Sequence, residues 1–237
     1  VIDKTGPTRR RRHWWRWIIV ATGILVVVVY GGAALLIKLP SVLPPLALPK
    51  ADASAPTGPL DGPWRVASGS LAGLRVQESA LGFSNDVVGR TGAVNGELTV
   101  SDGRIIQARI RVGLTTMKFN GKTQPQFANS LGTKVHPIAT ITLSHPMTLG
   151  STFASGATIT STAVVTLSLN GVSHPAILTI QARREGSVLQ AVGSIPVPFA
   201  TWNIKPPAGY GIFGSLANHG TGEFSLVLDR TGDSASA

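Results

Sequence analysis

Few residues in this chain have the type and spacing to carry covalent chemistry. Gly209, Gly211 and Gly214 spell G-x-G-x-x-G. A phosphate-cradling turn needs that motif between a strand and a helix, because the glycines let the backbone approach the phosphates at a helix N-terminus. Here Pro206 and Pro207 precede it and no helical pattern follows, so it reads as a loop at a domain rim. The histidines are His13, His136, His145, His174 and His219; three precede proline and none has zinc-ligand spacing, so they read as strand-end and turn residues. No G-x-S-x-G elbow occurs. Cysteine is absent, which excludes a thiolate nucleophile, a disulfide framework, Cys-ligated metal centres and a lipidated cysteine. Most acids beyond the N-terminal region sit beside turn glycines or near the C-terminus. Glu78 differs, lying in a predicted strand within reach of Arg75 and Arg90, and a salt bridge with Arg90 is the expectation. No catalytic set and no metal or other cofactor site is expected.

What remains is apolar. Leu74, Val76, Ile110, Val112, Leu114, Ile141, Leu143, Leu178, Ile180, Phe224 and Leu226 fall on alternate positions of strand-like runs and can all point inward. Alternation alone fits an ordinary packed core better than a cavity. An eight-stranded barrel with such a lining can nevertheless hold one small ligand. Phe127, Leu131, Phe199, Trp202 and Ile204 are candidates for the mouth, where an aromatic ring packs on an apolar tail while facing water.

These residues are carried by short alternating runs that begin at Trp64. Strands are expected at 64–68, 73–81, 85–100 (bent or broken), 104–115, 138–147, 157–169, 174–184 and 187–196, with a closing strand at 222–229. A short helix is expected within 122–133. Asn95-Gly96, Asp102-Gly103 and Asn170-Gly171 are hairpin signals, since both central residues of a tight hairpin turn take φ > 0. Gln107, Arg109, Arg111, Thr140, Thr142, Thr179, Gln181 and Arg183 occupy the opposite, solvated face. Many antiparallel strands without a helical layer mean a sandwich or a closed barrel.

The N-terminal part is different. Trp17 to Ile37 is a run of 21 residues without a charge, and about 20 apolar residues in a helix cross a bilayer. Arg9, Arg10, Arg11, Arg12 and Arg16 precede it and only Lys38 follows closely, so residues 1–16 are expected to be a cytoplasmic tail. Trp14, Trp15 and Trp17 suit the interfacial aromatic belt. The run exceeds the ~7–15 residues of a signal-peptide core, which favours an uncleaved single-pass anchor. The net charge is +10, and the first 16 residues supply +5 (six basic, one acidic). That tail is too short and too close to the membrane to read as a nucleic-acid site. Residues 38–63 contain seven prolines and are expected to form an extended linker reaching about 75 Å. Residues 64–230 form the outer domain and 231–237 a frayed tail.

The outer domain resembles the YceI-like family. The resemblance runs from Gly62-Pro63-Trp64-Arg65-Val66 through Gly73–Glu78, Val88-Gly89-Arg90-Thr91 and Val94–Leu98. It continues with His136-Pro137-Ile138-Ala139, the Leu169–Pro175 hairpin, Gly193–Ile204, and His219-Gly220 through Phe224. The order and spacing carry it, and the arrangement is most similar to membrane-anchored actinobacterial members. The loop 116–130 departs by offering Lys118, Lys122 and Gln124 where the family has an Arg-Asp pair, and Pro196–Phe199 lacks an arginine before the aromatic. The resemblance implies an all-β, antiparallel, lipocalin-like β-barrel of about eight strands behind one transmembrane helix. It implies a non-enzymatic lipid-binding protein outside the cytoplasm, whose cavity holds an isoprenoid chain, a quinone or a polyprenyl lipid. The alternative is a filled barrel acting as an interaction module on another cell-envelope protein.

Overall fold

A computed structural model of the chain describes residues 43–51, 54–80, 83–207 and 214–231. The expected cytoplasmic tail and apolar run 17–37, the stretch 208–213 and the tail 232–237 lie outside the described residues. Among the described residues, no helix is long and apolar enough to cross a membrane.

The described residues form thirteen strands in chain order: β1 (Gly62–Val66), β2 (Leu71–Ala80), β3 (Phe83–Thr91), β4 (Val94–Ser101), β5 (Arg104–Gly113), β6 (Lys118–Phe119), β7 (Ile138–Leu143), β8 (Met147–Thr148), β9 (Ile159–Leu169), β10 (Val172–Glu185), β11 (Val188–Pro198), β12 (Gly214–Leu216) and β13 (His219–Arg230). One six-residue helix, α1 (Pro125–Ser130), lies inside the expected 122–133 window; Pro125 opens it, where a missing N–H costs nothing. All pairings are antiparallel. The order β1-β4-β5-β7-β9-β10-β11-β13 returns to β1, which closes an eight-stranded barrel. Closure is made by the length of β13. Its residues Leu228–Arg230 pair with β1, and Thr221–Ser225 pair with β2, which continues the wall through β3 and β6.

The differences from the expected strands have local causes. The run 85–100 breaks at Gly92-Ala93, where the Val94 N–H bonds the Gly92 carbonyl in a three-residue turn. The run 138–147 breaks at Ser144-His145-Pro146, where proline has no N–H to give the ladder. Asp102-Gly103 and Asn170-Gly171 make the expected turns, with φ of 52° and 68°, and 50° and 79°. Asn95-Gly96 does not. It lies inside β4 opposite Arg111 and Ile110, because the chain has already turned at 92–93. Gly96 has φ of 151°, and a Cβ there would collide with the Arg109 carbonyl, so this glycine serves a close backbone approach.

The barrel has two unlike ends. One carries α1, the loop 114–137, the β9–β10 turn and residues 199–207; we call it the α1 end. The other carries the β4–β5 and β10–β11 turns and a 3-10 turn, Phe153–Ser155.

Residues 43–51 and 54–60, within the expected 38–63 linker, lie on the barrel. Arg75 donates to the Leu43 carbonyl (3.2 Å), Arg90 to Pro44 (3.1 Å) and Arg183 to Pro49 (3.1 Å). Arg184 donates to the carbonyls of Thr57 and Gly58. Leu60 packs against the core, and its carbonyl accepts from the fully buried Trp64 indole (2.9 Å). This strap crosses the outer wall and then covers the end opposite α1, which we call the strapped end. It also buries Arg183, which therefore does not belong to the solvated face where alternation placed it.

Candidate functional site

The barrel interior contains three cavities in series. The middle one is lined by Leu74, Val112, Leu114, Leu131, Ile141 and Phe224, joined by Met117, Leu167, Leu169, Ile195 and Val197. Towards the strapped end, a second is lined by Ile110, Leu143, Leu178 and Ile180, again with Ile141 and Phe224, and closed by Met147, Leu149 and Phe153. The third lies under α1, between Phe127, Leu131 and Phe119 on one side and Phe199, Ile204, Pro206 and Pro207 on the other, with Leu74 and Val76 as its floor. The volume open to the centre of a water-sized sphere is about 80 Å³ in the second cavity, 70 Å³ in the middle and 20 Å³ under α1.

These volumes decide between a packed and a hollow interior. One water needs about 10–15 Å³ by this measure, and native cores rarely leave voids larger than that. The two inner cavities exceed it several-fold, and the second presents only apolar atoms to its interior, Gln190 being its one polar lining residue. Such space is unattractive to water, because it offers no hydrogen-bond partner. An apolar ligand suits it.

Shared residues show which cavities are neighbours. Ile141 and Phe224 line both inner cavities, and Leu74 and Leu131 line both the middle cavity and the one under α1. Each pair stands between two adjacent cavities. Pro206, which lines the cavity under α1, is exposed, so only a thin wall separates that cavity from the surface.

Every candidate lining residue read from sequence borders one of the three cavities except Trp202. That indole is 2% exposed, donates to the Leu167 carbonyl (3.2 Å) and packs edge-on against His174 at 5.8 Å. Phe127 is likewise buried, stacked on Phe119 at 4.8 Å. Sequence reasoning did not single out Leu167, Leu169, Ile195 or Val197, although they follow the same alternation in β9 and β11. Met147, Leu149, Phe153 and Phe119 carry no such signal, because they lie in short irregular segments.

Four charged residues of β2, β3 and β13 form a separate cluster. Glu223, 8% exposed, accepts from Arg75 at 2.6 Å and from Arg90 at 2.7 Å, and the Leu46 N–H reaches it at 3.2 Å. Arg75 also bridges to Asp86 at 2.8 Å. Arg90 therefore pairs with Glu223 rather than with the expected Glu78. Burial by itself would raise the Glu223 pKa. The Arg75 hydrogen bond, the Leu46 N–H and the charges of Arg90 and Arg75 outweigh it and hold the carboxyl below its usual range. This cluster fastens the strap to the barrel wall. Among the described residues, no group of three or more His, Asp or Glu side chains gathers to hold a metal.

No protein-family profile matches the chain, and no curated protein matches it. Among solved structures, a polyisoprenoid binding domain from Saccharophagus degradans, implicated in plant cell wall breakdown, aligns with a TM-score of 0.53 at 16% identity, over 72% of this chain and 99% of that one. BcnA from Burkholderia cenocepacia gives a TM-score of 0.48 at 13% identity, over 66% of this chain and 95% of its own. The closed antiparallel barrel is thus a fold shared with a polyisoprenoid-binding domain.

Proposed function

We propose that this protein binds a long apolar lipid chain of isoprenoid type, such as a quinone or polyprenyl tail, threaded through the three cavities. The carrying observation is that the two inner cavities are largely apolar, larger than packing defects and adjacent, with Ile141 and Phe224 lining both. A narrow, linear space suits a thin branched chain better than a compact ligand. Each CH₂ buried contributes about 0.8 kcal/mol, offset by the entropy of ordering the tail. The likeness in fold to a polyisoprenoid-binding domain supports this reading, as do the YceI-like sequence features. No catalytic step is part of it. The apolar run 17–37 and the arginines before it support a single-pass membrane anchor with the N-terminus inside and the barrel outside the cytoplasm.

Native mass spectrometry of the full chain in mild detergent tests the binding. We expect a bound lipid whose mass fits an isoprenoid. Ile141→Phe adds volume between the inner cavities and Leu178→Trp fills the second cavity, with an overpacking cost of about 1–3 kcal/mol each. Both variants should remain folded and carry a shorter chain or none. Two folded variants that hold the wild-type lipid undiminished would remove the cavities from the function.

A further inference from the structure

The two ends of the barrel differ in charge as well as in shape. The segments 114–137 and 199–207 at the α1 end contain Lys118, Lys122, Lys134 and Lys205 and no aspartate or glutamate. All four lysines are exposed. The same end presents Val135, 75% exposed and next to Lys134 in sequence, and Ile138, 52% exposed, with exposed Pro137 between. Glu78 and Asp86 lie on β2 and β3, and Asp86 is engaged by Arg75. The strapped end is mixed, with Asp102, Arg104, Glu185, Asp229 and Arg230, and residues 56–60 cover it.

We infer that the α1 end is a docking surface for an anionic lipid bilayer. This rests on the proposed lipid-binding function, and it assigns the route by which the apolar chain enters. Exposed apolar side chains at an end that also carries four exposed lysines match a headgroup layer, where the lysines meet lipid phosphates and Val135 and Ile138 enter the acyl boundary. Each lysine near an anionic surface contributes about 1 kcal/mol, weakened by salt. An acidic protein would also attract the lysines. A bilayer alone also holds apolar chains that can pass directly into the cavity under α1 without crossing water.

The absence of native cysteine permits a clean test. The full chain is placed in nanodiscs with a fluorophore on Val135→Cys at the α1 end, or on Ser187→Cys, exposed in the β10–β11 turn at the strapped end. Quenching by spin-labelled acyl chains is then read in neutral and in anionic nanodiscs. The expected result is quenching of the residue-135 label in anionic discs, its loss in neutral discs or at high salt, and no quenching at residue 187. The triple variant K122E/K134E/K205E should lose the quenching while still taking up an isoprenoid from detergent micelles. An unquenched label at 135 in anionic discs, equal quenching at 187, or full quenching in the triple variant would overturn the docking surface. If the wild-type label is unquenched but isoprenoid still binds, docking fails and the lipid-binding reading stands. If it is quenched but no isoprenoid binds, docking stands and the cavity reading fails.

Discussion

Gly193 and Phe224 are opposite partners on β11 and β13, and the Phe224 ring lies over the glycine where a side chain would otherwise be. A Cβ at residue 193 would overlap Phe224 Cζ and stand 2.8 Å from Cε1 and 2.9 Å from Leu178 Cδ1. Glycine inside a strand weakens it, but here it makes room for the ring that divides the two inner cavities.

Gly193→Ala should therefore push Phe224 off its seat and change both cavities at once. We expect a loss of about 1–3 kcal/mol from overpacking, read as a lower urea midpoint with an unchanged slope. The mass distribution of bound lipid should shift in the same preparation. A variant with wild-type midpoint and wild-type lipid would show that the ring has another seat available.

Glu223 holds two guanidinium groups on the outer wall, so its loss is more serious than that of a surface carboxylate. Glu223→Gln leaves Arg90 without a carboxylate partner and Arg75 with Asp86 alone. Removing one partner from a buried ionic cluster costs about 3–5 kcal/mol, and the lower figure applies here because water still reaches the arginines. The pH dependence has a fixed sign. The folded pKa of Glu223 lies below the ordinary carboxylate value, so its contribution to stability is present above that value and is lost as pH falls through the lowered folded pKa. Urea midpoints measured from neutral pH downward should fall more steeply for the wild type than for Glu223→Gln. Parallel curves would show that another carboxylate governs acid unfolding.

The eight-strand circuit was legible because β5, β7, β9, β10 and β13 each keep one apolar face, and period-two alternation specifies which side chains point inward. The turns at 102–103 and 170–171 were legible for the same local reason. Asn95-Gly96 misled because the same dipeptide serves either a tight turn or a close backbone approach, and only the partner strand decides. The Glu223 cluster was invisible. Its members are 133 and 148 residues apart in sequence, and nothing local marks Glu223 as the partner. The strap was hidden for a further reason: its bonds run from arginine side chains to main-chain carbonyls, which every residue possesses, so a proline-rich segment looks the same bound or free. Hollowness was also out of reach, since a packed core and a lipid tunnel share one alternation pattern.

The strap allows a comparison of two chains. One starting at Ser41 keeps the carbonyls that Arg75, Arg90, Arg183 and Arg184 use; one starting at Asp61 lacks them all. Arg184 matters most. It is 5% exposed, its hydrogen-bond partners are the strap carbonyls of Thr57 and Gly58, and burial together with the charge of Arg230 pulls its pKa down. Hydrogen bonds to charged groups contribute about 1.5–3 kcal/mol each, but water replaces part of that on an uncovered wall and neighbouring bonds do not add. We therefore expect the shorter chain to fold, yet to be about 2–4 kcal/mol less stable by urea unfolding. Arg184→Met separates the strap bonds from general truncation. In the longer chain it removes a bonded cation and should destabilise; in the shorter chain it removes a cation already deprived of its carbonyls, so the cost should shrink or change sign. Equal costs in the two chains, or equal midpoints for the two starting points, would mean that the strap lies on the barrel without holding it.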